Sequence, residues 1–148
     1  MPSISLCVIA RDEEEFLPGL LDSVYGLADQ IVLVDTGSTD KTVAIAKSAG
    51  AVVVEQAWQD DFSRARNCAL DHATGDWVLV LDCDERLDPD AIDVIRAAVN
   101  ADDFDLGLLV LHNAKRLDSS TADILNGAAR EGEPVLLPRL IRRTADLK

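Results

Sequence analysis

The sequence predicts an α/β domain with a mostly parallel central sheet and helices on both faces. Three observations carry that prediction. Apolar runs of strand length, ISLCVIA, IVLVD, AVVVE and WVLVLD, recur along the chain. Segments with apolar residues at helical spacing alternate with them. Turn and capping residues, such as Gly37-Ser38-Thr39-Asp40 and Asp60-Asp61, punctuate the alternation. Near-continuous apolar runs suit strands buried on both faces, and strand–helix alternation is the pattern of parallel crossover units.

Ile4–Ala10 reads as the first strand. A helix follows from Glu13 to about Leu27, with Phe16, Leu20, Leu21 and Val24 on one face and Pro18 in or near its first turn, where a missing N–H costs least. Ile31–Asp35 is the second strand, and Lys41–Ala49 the next helix, closed by Gly50. Ala51–Glu55 is a third strand. Asp60 and Asp61 cap a helix over Phe62–Ala73, closed by Gly75. Trp77–Asp82 is a fourth strand, and Pro89–Val99 a helix with proline at its start. Phe104–His112 reads as a fifth strand, Asn113–Glu133 as polar and irregular, and Pro134–Arg143 as a further short strand.

A length of 148 residues fits one domain over 1–148, and 48% hydrophobic residues can bury a real core. The net charge of −13 is uneven: residues 60–105 hold thirteen Asp/Glu against four Lys/Arg. Such a surface repels nucleic acid and anionic lipid. No stretch is apolar for long enough to form an integral membrane segment. Cys7, Cys68 and Cys83 are odd in number and lack metal-ligand spacing, so small buried residues in a cytoplasmic protein are expected. His72 and His112 have no metal or triad partner at useful spacing. Ser38 lacks the nucleophile-elbow pattern, and no dinucleotide-binding or P-loop glycine pattern is present.

In a parallel α/β sheet the ligand crevice lies beyond the carboxyl ends of the strands. Asp82-Cys83-Asp84 ends a fully apolar strand there. Two carboxylates on an opening turn suit Mg²⁺ or Mn²⁺, with phosphate oxygens completing the shell, although an acidic turn capping the next helix gives the same text. Asp35, at the tip of IVLVD, is either a hydrogen-bond acceptor for a base or ribose or a turn-forming aspartate that binds nearby amides. On a helical wheel Phe62, Ala65, Ala69 and Ala73 share a narrow face. Arg66 sits at its edge, within reach of a pyrophosphate or of a surface acid, while Arg64 points away. Asp12 and Glu13 lie nearest the first strand's end, whereas Glu14 and Glu15 suit the helix macrodipole.

Taken in order, ISLCVIARDEEEFLPGLLDSV, IVLVDTGSTDKTVAIAKSAGAVV and DFSRARNCALDHATGDWVLVLDCDERL resemble the inverting family 2 glycosyltransferases of GT-A fold. The likeness is to the subgroup related to lipopolysaccharide-core and cell-wall enzymes, and its blocks span residues 4–87. It implies a nucleotide-diphospho-sugar donor, commonly UDP-linked, and an unknown acceptor in cell-envelope polysaccharide or lipopolysaccharide synthesis. It implies roles as well. Ala10, Arg11 and Glu13 would line the base site, Asp35 would hydrogen-bond the base, and Arg66 would face the base or diphosphate. Asp82 would sit at the ribose and metal, and Asp84 would ligate Mg²⁺ or Mn²⁺. Asp12 stands where such sequences often carry Asn, and Cys83 where they often carry Ala. Family members normally continue past a segment like LLPRLIRR into an acceptor-binding half that supplies the catalytic base. The domain therefore reads as the donor-binding portion, apparently truncated at Lys148, and no catalytic base is nominated.

The alternative is a non-catalytic module or fragment that holds a nucleotide-sugar without turnover and shares every site residue. Other classes fit less well. A signalling receiver needs an aspartate after the third strand, where Glu55-Gln56 stand. A haloacid-dehalogenase-type phosphatase needs its Asp-x-Asp on an early strand, and a nucleotidyltransferase needs a Gly-rich loop after the first.

Overall fold

The computed structural model describes residues 1–115 and 118–145. Its strands are β1 (Ile4–Ala10), β2 (Gln30–Asp35), β3 (Val52–Glu55), β4 (Trp77–Val80), β5 (Leu106–Leu111) and β6 (Val135–Arg142). Between them lie α1 (Leu17–Ser23), α2 (Thr42–Ser48), α3 (Phe62–His72), α4 (Pro89–Ala101) and α5 (Thr121–Leu125). They form one six-stranded sheet in the order β3-β2-β1-β4-β6-β5. The pairs among β1 to β4 are parallel, and β6 runs antiparallel to both β4 and β5. Five strands thus point the same way and β6 runs against them.

Alternation along the central strands supplies both faces of the core. Ile4, Leu6, Val8 and Ala10 of β1, Leu33 of β2, and Trp77 and Leu79 of β4 pack with Leu17, Leu20, Ile95 and Val99. The opposite side chains, Cys7, Val32, Val34, Val78 and Val80, meet Ala65, Ala69 and Ala73 of α3 and the turn after it. Small residues on α3 let that helix lie close against the sheet. Helices cover both faces, as expected.

The first helix is shorter than its pattern suggests. Asp12 adopts a left-handed conformation (φ 52°), and the Glu13 and Glu14 amides donate to the Thr42 hydroxyl (2.8 Å) and the Asp40 carboxylate (3.1 Å). A turn follows, with the Phe16 and Leu17 amides both donating to the Glu13 carbonyl, and regular helix runs from Leu17, with Pro18 in its first turn. Asp61 alone caps α3, accepting from the Ser63 and Arg64 amides; Asp60 instead accepts from the Trp58 indole. Gly75 does not close α3 as a left-handed residue. It is needed because a Cβ there would lie 2.7 Å from the Ser5 backbone nitrogen.

The far side of the sheet departs most from expectation. β5 does not join the parallel strands directly, because β6 inserts between it and β4. Its continuous apolar text is not a doubly buried strand either: Leu106, Leu108 and Val110 are about half exposed on an edge. The segment read as irregular over 113–133 contains α5 and a bridge between Ala114 and Arg130, and its residues 116–117 lie outside the described residues. So does Lys148. Among the described residues no helix is long and apolar enough to cross a membrane.

The N-terminus is tied to the turn before β4 by Asp76, whose carboxylate accepts from the Ser3 amide (2.8 Å) and hydroxyl (2.9 Å). These bonds hold its carboxyl below the usual aspartate range. A carboxyl lowered in the folded state stabilises above its unfolded pKa, and that contribution fades as pH falls through the folded value. Asp76→Asn should therefore lower the melting temperature near neutrality, and the gap from wild type should close as melts are run at progressively lower pH. A gap constant with pH would contradict this.

Candidate functional site

The carboxyl ends of β1, β2 and β4 converge at one edge of the sheet. Ala10 pairs in register with Asp35, and its carbonyl accepts from the Thr36 amide at 3.0 Å. The Ala10 side chain is buried, and its carbonyl also accepts from the Thr36 hydroxyl at 3.3 Å. Arg11 is exposed at the same mouth.

Two loops are sewn together there. Asp12 donates its amide to the Ser38 hydroxyl (2.9 Å) and accepts from the Thr39 amide (2.7 Å) through Oδ1. These bonds suit aspartate as well as the asparagine that the resemblance above leads one to expect here. Both tolerate positive φ, and both carry the acceptor oxygen that Thr39 needs. Asp35 is 5% exposed, and its carboxylate accepts from the Gly37 amide (3.2 Å), the Ser38 amide (3.1 Å) and the Ser38 hydroxyl. Its turn-forming role is thus plain in the geometry, and the same bonds aim it at the end of β2.

Asp82 and Asp84 follow β4 and are exposed, with Cys83 between them buried. Cys83 and Asp84 are the central residues of a turn closed by the Glu85 amide donating to the Asp82 carbonyl at 3.0 Å, with Cys83 Sγ 3.8 Å from the Ile9 carbonyl and both carboxylates exposed. Burial pushes the Cys83 thiol up to about 12, helped by the acids around it, so it serves as packing rather than as a nucleophile. Glu13 faces this pair. Its carboxyl is raised by burial and then by the charges of Asp84, Asp40, Asp82 and Asp12. A carboxylate burdened by four others marks a strongly negative mouth, which a divalent cation would relieve.

Among the described residues, no three His, Cys, Asp or Glu side chains are grouped so as to hold an ion alone. The donors present are hard carboxylate oxygens. Their chemistry fits Mg²⁺ or Mn²⁺ with water and phosphate oxygens as the remaining ligands.

Arg66 behaves as its wheel position predicts. With Cys7, Ile9, Ala69, Val80 and Asp82 it walls a small recess at the sheet edge, whereas Arg64 turns to the Gln59 side chain. Phe62 departs from the wheel: it is 69% exposed and packs edge-to-face on Trp58 at 4.7 Å. His72 and His112 have local partners, the Cys68 carbonyl and Arg130 respectively.

Sequence reasoning missed the pair Glu85–Arg139. Glu85 Oε1 accepts from the Asp82 amide at 2.6 Å, and Oε2 accepts from Arg139 Nη2 at 3.0 Å. Burial raises the Glu85 carboxyl, only partly offset by the Asp82 amide and Arg139. Arg139 Nη2 also lies 3.6 Å from Asp82 Oδ2. The charge of LLPRLIRR was visible, but the strand that carries it to Asp82 was not. Beyond these residues opens a cleft of about 1130 Å³, reaching from Asp82 and Asp84 across Leu109 and Leu137 to Ile124.

The chain is similar to known proteins. A TPR repeat-containing protein of Synechococcus elongatus is 55% identical over 87 residues, covering 59% of this chain and 22% of that protein. An uncharacterized glycosyltransferase of Rickettsia bellii is 36% identical over 115 residues, covering 74% of this chain and 39% of that one. The chain therefore spans well under half the length of these curated relatives. Among solved structures, glucosyl-3-phosphoglycerate synthase from Mycobacterium tuberculosis in complex with UDP matches with a TM-score of 0.50 at 28% identity. That match covers 57% of this chain and 34% of the synthase. The sequence profile of glycosyl transferase family 2 runs from residue 5 to residue 132, through every strand end just described except β6, and the chain belongs to that family.

Proposed function

We propose that this chain binds the nucleotide-diphospho-sugar donor of a glycosyltransferase, with UDP as the nucleotide and Mg²⁺ or Mn²⁺ as cofactor. The observation that carries the reading is the pair of exposed carboxylates, Asp82 and Asp84, at the carboxyl end of β4 beside the charge-crowded Glu13. Asp84 and Asp82 would hold the ion, which when bound neutralises the departing nucleoside diphosphate. Asp35, fixed by its own turn, would accept from the base, while Ala10, Arg11 and Glu13 line the base pocket. Arg66 would face the base or diphosphate from the recess it shares with Asp82. The UDP complex of the mycobacterial synthase supports the choice of nucleotide. The open cleft beyond Asp84 would admit the acceptor, whose hydroxyl displaces the diphosphate in line. We assign the acceptor to cell-envelope polysaccharide or lipopolysaccharide and the protein to the cytoplasm, where its three free cysteines would stay reduced.

Calorimetry with UDP in the presence and absence of Mn²⁺ tests the reading. Metal-dependent UDP binding is expected, and Arg66→Ala should weaken it by roughly tenfold while Arg64→Ala leaves it nearly unchanged. Wild-type protein that ignores UDP with Mn²⁺ present would sink the proposal. Binding without release of UDP from a UDP-sugar would make the chain a module that holds the donor without turning it over.

A further inference from the structure

We infer that Arg139 is a resident counter-ion for Asp82 that the divalent cation displaces, freeing the guanidinium to bind the donor's diphosphate. The inference rests on the donor-site reading above and adds a residue to it. Arg139 Nη2 lies 3.0 Å from Glu85 Oε2 and 3.6 Å from Asp82 Oδ2, so one nitrogen serves two carboxylates at unequal distance. The two partners differ in burial. The Glu85 side chain is 11% exposed and that of Arg139 12%, but that of Asp82 is 63% exposed.

Glu85 is therefore the fixed anchor. It is held on its other oxygen by the Asp82 amide at 2.6 Å, and it keeps Arg139 at the mouth whatever Asp82 does. Asp82 is the exchangeable partner: longer, wetter and free to turn toward solvent. A divalent ion, with twice the charge of a guanidinium, would compete for the exposed carboxylate. Arg139, still held by Glu85, would then have unspent donors. A diphosphate brought in by the ion presents the anionic oxygens that a guanidinium binds best. Of the other guanidiniums nearby, Arg66 shares the small recess with Asp82 on the α3 side, and Arg86 is directed at the Cys83 and Glu85 carbonyls beside Gly19 and so is already committed.

The consequence is an opposition of sign that a purely structural residue would not produce. Removing the charge in Arg139→Gln should tighten binding of Mn²⁺ alone, by roughly three- to fivefold, because a competitor for Asp82 is lost. The same variant should weaken UDP binding at saturating Mn²⁺ by roughly tenfold, because a diphosphate cation is lost. Arg139→Lys should stay near wild type for Mn²⁺. An independent measurement needs no variant: the Arg139 Nε–Hε resonance of the wild-type protein should move on addition of Mg²⁺ and move again on addition of UDP. Both affinities shifting the same way in Arg139→Gln, or a resonance indifferent to Mg²⁺, overturns the exchange while leaving the donor site standing. Wild-type protein that binds neither Mn²⁺ nor UDP overturns the proposed function, and this inference with it.

Discussion

Asp84→Ala is expected to reduce Mn²⁺-dependent UDP affinity by roughly a hundredfold, about 2.8 kcal/mol at about 1.4 kcal/mol per decade. The variant should fold as wild type does, because Asp84 is exposed on an opening turn. Its removal also relieves Glu13 of the largest of the charges that raise its carboxyl. Neither the core nor the loop seam between Asp12 and Thr39 depends on it. This separates Asp84 from Asp35, whose replacement would open the Gly37–Ser38 turn and confuse lost binding with lost structure. Calorimetry on the folded variant is the check, with circular dichroism melts beside it. Undiminished UDP affinity in a normally melting Asp84→Ala protein would remove the carboxylate pair from the site.

The largest loss of stability is expected at the opposite end of β4. Trp77 is 1% exposed and packs against Phe104 with ring centroids 4.6 Å apart, and the Arg142 guanidinium lies 4.7 Å from its ring centre. Trp77→Ala empties a large volume that β1 and β6 cannot collapse to fill, since both are locked in register with β4. The expected cost is about 3–5 kcal/mol. Because domains of this size hold only about 5–15 kcal/mol in reserve, the melting temperature should fall steeply. Chemical denaturation with the midpoint compared at unchanged slope is the measurement. A cost below about 1 kcal/mol would show that Trp77 is not the keystone of this layer.

How much of this was legible in the sequence follows from how local each feature is. The four parallel strands could be read because continuous apolar text bounded by turns is a property of the segment itself. The ends of those strands nominated the candidate site: Asp35, Asp82 and Asp84 fall where a strand stops, and the place of Arg66 beside Asp82 follows from helical period. The first helix was overread because turns at both of its ends carry on the apolar spacing of Leu17–Ser23, and spacing alone does not tell a turn from a helix. β6 was readable as a strand but not as a strand inserted against the direction of its neighbours. That arrangement is decided by which edge is bare, not by the text of Val135–Arg142. For the same reason Arg139 could not be joined to Glu85, 54 residues earlier. Leu106, Leu108 and Val110 misled in the other direction, since apolar text announces burial only when something lies across it.

The lone counter-running strand also fixes an order of events during synthesis. Domains assemble from their N-terminal end as the ribosome proceeds, at about 5–20 residues per second. β1 to β4 can zip together as soon as Val80 has emerged, but β5, made next, finds no neighbour until β6 is threaded between it and β4. For that interval Glu85 waits without its cation, and the outer margin of β4 lies bare. A nascent chain should thus acquire its parallel scaffold well before Glu85 acquires its cation, and β6 is the strand that supplies it.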